Sequence, residues 1–213
     1  MDELQQIENL RCLIQSSCNT LIQHLGPIQI GTPAQFPFGW RNAAKGRTVW
    51  RIVEEAVTQN IESHARELNI SQFMPPVSEV GVYDMACAYG NDTAFINIKS
   101  SADGGKAQKD DISKAEGLRT FFEEDLNRHI FIVTFYIHFN DNMTIELSHA
   151  TVFPLAWIPD VYVNPSNNGN LQSAHYKNIQ EAVRRTNAQF YNELIAAMQV
   201  AEQKKRTKKV SAV

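Results

Sequence analysis

Three polar side chains sit where an apolar strand ladder would not place them. The stretch from Val80 to Ser101 reads as two apolar strands joined by a tight turn at Gly90-Asn91-Asp92, with Asp84 in the first strand and Asn97 and Lys99 in the second. Side chains alternate along a strand, so Asn97 and Lys99 share one face and Ile96 and Ile98 take the other. A carboxylate, an amide oxygen and an ammonium thereby converge at one end of a hairpin. Oxygen donors of this kind suit a hard divalent cation such as Mg²⁺, which keeps several waters and takes one or two carboxylates. An ammonium beside such an ion can orient a water or stabilise negative charge developing in a transition state.

The elements that must hold these groups follow from spacing. Leu4, Ile7, Leu10, Ile14, Leu21 and Leu25 fall at helical intervals, so residues 3–25 form an amphipathic helix ended by Gly26-Pro27. Its stripe serves as core or as a dimer seam, and the seam is preferred here, because an opening helix outside a catalytic sheet is a common place for self-association. Residues 26–47, rich in Pro and Gly, read as a loop carrying Trp40, Arg41, Lys45 and Arg47. It is either a surface connection anchored by its tryptophan or a set of cations laid against phosphates. Thr48 caps a helix running to about Asn69, on which Glu54 flanks the apolar face and Glu55 points nearly opposite. Periodicity alone also fits two solvated glutamates.

Residues 70–79 read as a loop into the hairpin. The polar, Gly-rich segment after it carries Lys106 and Lys109, which either close over a polyanion or belong to ordinary disorder. Ser113 and Glu116 have capping-box spacing and open a helix through Leu126. Ile130–Phe139 is nearly unbroken apolar sequence, as in a central strand covered on both faces, and Met143–Val152 returns beside it. His138 and His149 lie on these strands as sheet residues without a catalytic role. Residues 153–160 lead outward. Residues 179–203 form a closing helix, with Arg184 and Arg185 on a solvated face near its start. The segment between, Val163 to Lys177, is crowded with Asn, Ser and Gly: by itself a hydrophilic turn, but Asn and Gln also pair with adenine in the major groove.

A chain of 213 residues, 43% hydrophobic and 20% charged, is an ordinary globular domain with no repeat and no second domain, of α/β (α+β) class. No stretch approaches a membrane span, and the polar start is no signal peptide. Three cysteines without CxxC spacing read as reduced thiols of a cytoplasmic protein, and the six histidines form no ligand-spaced pair on one helix. The net charge of −3 argues against nucleic-acid binding, although local charge is what counts. The basic tail at 204–213 reads as a solvated end that can add sequence-blind phosphate attraction.

The order of acidic helix, Asp84 hairpin, apolar central strands and amide-rich segment ending in His175-Tyr176-Lys177 resembles the PD-(D/E)xK nucleases, in particular the blunt-cutting type II restriction endonucleases. The resemblance spans roughly Thr48 to Lys177. It implies a central mixed β-sheet flanked by helices and a homodimer that cuts a palindromic site in double-stranded DNA with Mg²⁺, leaving a 5′-phosphate. By the same resemblance Asp84 and Asn97 hold the metal, Lys99 steers the water, and Glu54, with Glu55 in reserve, helps bind or position the ion. The resemblance also implies base-reading roles for Asn167, Asn168, Gly169 and Asn170, with Gln172 and Ser173; their amide richness suggests an A·T-biased site, and Lys106 and Lys109 are the cations that would close over the DNA. Asn97 stands where the family has Asp or Glu, and an amide offers a ligand oxygen without charge, so metal affinity and cutting fall. Either other acids compensate in a natural variant, or the position carries an Asp→Asn change that traps uncut substrate.

Overall fold

The apolar run at the centre of the chain forms the middle of the sheet. In a computed structural model, which describes residues 2–41, 45–76, 81–105, 109–166 and 169–210, strand β6 (His129–Phe139) buries Phe131, Ile132, Val133 and Phe135 almost completely. Full burial contributes about 1.5–3 kcal/mol for each such side chain. It lies in a six-stranded sheet of order β1-β7-β6-β4-β3-β2, formed by β1 (Ile28–Gln29), β2 (Gln72–Met74), β3 (Met85–Tyr89), β4 (Asp92–Ala102), β6 and β7 (Thr144–Pro154). Only the β4–β6 pair is parallel. A parallel neighbour requires a crossover, and the chain makes it through β5 (Asp110–Lys114) and helix α3 (Ala115–Glu124). A three-stranded sheet, β5-β9-β8, adds β8 (Tyr162–Val163) and β9 (Asn170–Ser173). This is the mixed sheet flanked by helices that the sequence led us to expect.

Helix α1 (Glu3–Leu25) is capped by Asp2, whose side chain accepts from the Leu4 amide. Its apolar stripe, Ile7, Leu10, Ile14, Cys18 and Leu21, is buried within the chain, and the helix packs against β7. The expected seam is therefore core, since those residues have no surface left for a second copy. Helix α2 (Lys45–Ser63) packs on β4. Thr48 lies inside its first turns rather than capping it, and the helix stops six residues before Asn69 in a series of turns closed by Ile70 N–H to Ala65 C=O. Trp40 is the anchor of its loop: its Nε1–H donates to the Asn140 carbonyl and its ring meets Phe139 edge-on.

Strand β2 falls inside the expected loop at 70–79 and pairs with β3. Ser113 belongs to β5, not to a capping box; α3 starts at Ala115 behind Lys114, which makes no side-chain cap. Residues Leu155–Trp157 do not lead outward but form a buried 3-10 turn, with Trp157 Nε1–H donating to the Arg185 carbonyl. Helix α4 runs from Asn187 to Val210, after a 3-10 turn at Ile179–Glu181. Arg185 precedes it and is buried, donating to the Ile158 and Val183 carbonyls and to Glu193.

Between the sheet and α3 and α4 runs a chain of edge-on aromatic contacts, Tyr83–Phe95–Phe121–Phe122–Phe190. Alternation along β4 puts Asn97 and Lys99 on the face of Phe95, toward α3. Gly117 lets α3 approach there, because a Cβ at this position would lie 2.9 Å from Val82 Cγ1. Cys12 is exposed, and Cys18 and Cys87 are buried and free, with burial pushing both thiols up to about 12. No helix among the described residues is long and apolar enough to cross a membrane.

Candidate active site

The hairpin forms as its spacing suggests. Gly90 takes φ +65° at the turn, where an L side chain is disfavoured, and β3 and β4 pair with Met85 opposite Ile96. The next step of that ladder sets Asp84 beside Asn97: the Asp84 amide donates to the Ile96 carbonyl at 2.8 Å, and Asp84 Oδ2 accepts from the Ile98 amide at 2.6 Å. A cleft of about 460 Å³ opens at this end of the hairpin. Its walls include Arg51 and Glu54 of α2, Asp84, Asn97 and Lys99, Asp111 and Lys114 of β5, and Asn170 of β9.

The charges in this cleft act on one another. Burial raises the Asp84 carboxyl above its ordinary range, against the Ile98 amide and the Lys99 and Arg51 cations, which pull it down. Burial also raises Glu54, reinforced by repulsion from Asp84 and opposed by Arg51 and Lys99. Desolvation lowers Lys99, while Asp84, Asp110, Asp111 and Glu54 hold its proton on. Glu54 is fixed by Arg51 at 3.1 Å, and that guanidinium stacks 4.2 Å over Trp50. Glu55, by contrast, is exposed and accepts from Gln59, so of the two glutamates Glu54 is the one in the cleft.

Asn97 is 7% exposed, and its Nδ2 donates to the Val82 carbonyl at 3.1 Å. Turning the amide over would set its oxygen against that carbonyl, so the orientation is determined. Its Oδ1 is then buried without a hydrogen-bond partner among the described residues, as is Asn170 Oδ1 in the same cleft. An orphaned buried oxygen is costly unless a cation, a water or a proton donor meets it. The carboxylate of Asp84 with the Asn97 oxygen is thus a donor set that fits a hard cation.

The amide-rich segment reaches this cleft through β9. Asn170 and Gln172 both donate to Asp111, at 2.9 and 2.5 Å, and the Gly169 carbonyl accepts from the Ala115 amide. Ser173 is fully buried with its hydroxyl committed to Asp160, so it has no surface to offer a base. Lys109 lies 3.5 Å over the Tyr162 ring. Lys106, Asn167 and Asn168 fall outside the described residues. Tyr176 Oη and Lys177 Nζ both donate to Asp110 Oδ2, at 2.9 and 2.8 Å, so the His-Tyr-Lys segment braces β5 behind Lys99.

Arg51, Asp111 and Lys114 are cleft residues that spacing did not single out. Arg51 carries a local signal, its three-residue offset from Glu54. The other two arrive only through the pairing of β5 with β9. A larger cleft, about 810 Å³, lies between α3, α4 and β8; its acids, Glu116 and Glu202, are exposed and paired with Arg119 and Arg206. Compared with models of known protein families and with curated proteins, the chain matches none.

Proposed function

We propose that this chain is a metal-dependent, sequence-specific endonuclease of double-stranded DNA, of the type II restriction class and PD-(D/E)xK architecture, serving a cytoplasmic restriction-modification system. One observation carries the reading: Asp84, Glu54 and Lys99 interact electrostatically in one cleft with Asn97, whose Oδ1 is buried and meets no partner among the described residues. Asp84 and Asn97 would hold Mg²⁺, which when bound polarises a phosphate and acidifies a water. Glu54 helps position the ion, and Lys99 orients the attacking water and offsets charge on the phosphoryl oxygens. The water oxygen attacks phosphorus in line and the P–O3′ bond breaks. The 3′ oxygen gains a proton and the 5′-phosphate remains.

Asn170, which lines the same cleft, and Gln172, tied like it to Asp111, are the side chains we assign to base reading, together with Gly169 and with Asn167 and Asn168 next to it in sequence. Their amide character favours an A·T-biased site. Two copies would engage a palindrome, each cutting one strand. The neutral amide at Asn97 favours a second reading of the same site, a DNA-binding protein with weakened cleavage. Digestion of a large viral genome with Mg²⁺ or Mn²⁺, by the protein and by its Asn97→Asp variant, separates the two. Discrete fragments that vanish in Asp84→Ala support the nuclease. Specific binding with no cutting in either form supports the weakened binder, and absence of DNA affinity at low salt removes both.

A further inference from the structure

We propose that His24, His64 and Glu67 form a second metal site, specific for a borderline transition-metal ion of the zinc class and separate from the Asp84 cleft. Among the described residues this is the one place where three His, Cys, Asp or Glu ligand atoms gather, all within 4.8 Å of one another. The two imidazoles are 5.6 Å apart between centroids and tilted by 57°, and His24 Nδ1 lies 3.8 Å from Glu67 Oε2. In a tetrahedral zinc site with bonds of about 2.0–2.1 Å, neighbouring ligand atoms sit roughly 3.3 Å apart. Closure by about 1.5 Å is within the reach of side-chain rotation on a surface.

The backbone beneath is already rigid. His24 stands in the last turn of α1, where carbonyl dipoles favour a cation. His64 and Glu67 stand in the turns leaving α2, which Ser17 ties to α1 through a 2.8 Å bond from its Oγ to the Leu68 carbonyl. Leu21 and Leu68 are buried beside this link. His64 Nδ1 lies 3.0 Å from the Asn60 carbonyl, so its N–H is used there and Nε2 keeps a lone pair for a ligand bond. Metal-binding histidines are commonly oriented in this way. Two imidazoles and one carboxylate select zinc, cobalt, nickel or copper over Mg²⁺. The exposure of His24 and Glu67 leaves the remaining coordination position to water. A bound ion would staple the end of α1 to the exit of α2.

The test uses the full chain, stripped by chelator and supplied with excess Mg²⁺ to occupy oxygen-donor sites. One equivalent of Co²⁺ should give the visible absorption of a tetrahedral ion, which Zn²⁺ then removes. Zn²⁺ at a hundredfold excess over its Kd should raise Tm by roughly 5–10 °C. Asp84→Ala should retain both responses, His24→Ala and His64→Ala should lose them, and Glu67→Gln, which preserves shape, should weaken Co²⁺ binding at least about tenfold. No absorption, or the same absorption in the doubly substituted His24→Ala, His64→Ala protein, overturns the site and leaves a surface His–Glu pair.

Discussion

A carboxylate placed at position 97 should make the fold depend on a divalent cation. Asn97 is buried, its Nδ2–H donates to Val82, and Asp84 stands beside it. Asn97→Asp removes the only donor that side chain has and turns an acceptor toward the Val82 carbonyl, a loss of about 1–3 kcal/mol. It also adds a negative charge next to a carboxyl that burial already pushes up, which can bring the total to roughly 3–5 kcal/mol when nothing neutralises it. For a chain of 213 residues, a loss of 3 kcal/mol lowers Tm by roughly 6–12 °C. Mg²⁺ or Mn²⁺ at a hundredfold excess over its Kd returns about 2.7 kcal/mol. Scanning calorimetry of parent and variant, each in chelator and in Mn²⁺, should show a large gap in chelator and a small one in Mn²⁺. A gap of less than about 1 °C in chelator, or one that Mn²⁺ leaves unchanged, refutes the reasoning that residues 84 and 97 face a shared cation.

Three further outcomes follow from single residues. His129 is buried, its Nδ1 faces the Asn187 amide at 3.0 Å, and desolvation lowers its pKa below the ordinary 6.5. The unfolded chain therefore binds the proton first: stability is full above about pH 6.5 and falls as the pH drops toward and through the folded value, and His129→Gln should flatten that slope in Tm measured from pH 7.5 to 5. Arg185→Ala strips the Ile158 carbonyl of its buried donor and should cost about 1–3 kcal/mol in urea unfolding, with the m-value unchanged. Gly90→Ala meets no atom within 4 Å but keeps φ +65°, so it should cost about 1–2 kcal/mol in the same assay.

What could be read from the sequence is what side-chain periodicity encodes. The stripe of α1 repeats at the helical period, the central strand stands out as an unbroken apolar run, and Gly90 marks the turn of the hairpin. Periodicity does not say what a face is buried against, which is why the stripe of α1 read as a seam although it is core. Strands β2, β5, β8 and β9 are two to five residues long, too short to show alternation, and are held by backbone pairing. Ser113 and Glu116 matched a helix-start spacing by chance on a strand edge. The expected closing helix from 179 begins only at Asn187, and Arg185, read as solvated, is drawn inward by the Ile158 carbonyl before its first turn. At the site, Asp84, Asn97 and Lys99 were legible because they interrupt apolar strands. Asp111 and Lys114 were not, since they come to the cleft from β5, whose position depends on Asp110 being held by Tyr176 and Lys177 more than sixty residues away.

The most direct measurement is the anomalous density of crystals soaked in Mn²⁺. We expect a peak between the Asp84 carboxylate and Asn97 Oδ1, lost in Asp84→Ala. A clean map at that position under saturating Mn²⁺, with the cleft otherwise well ordered, would contradict the metal-dependent nuclease.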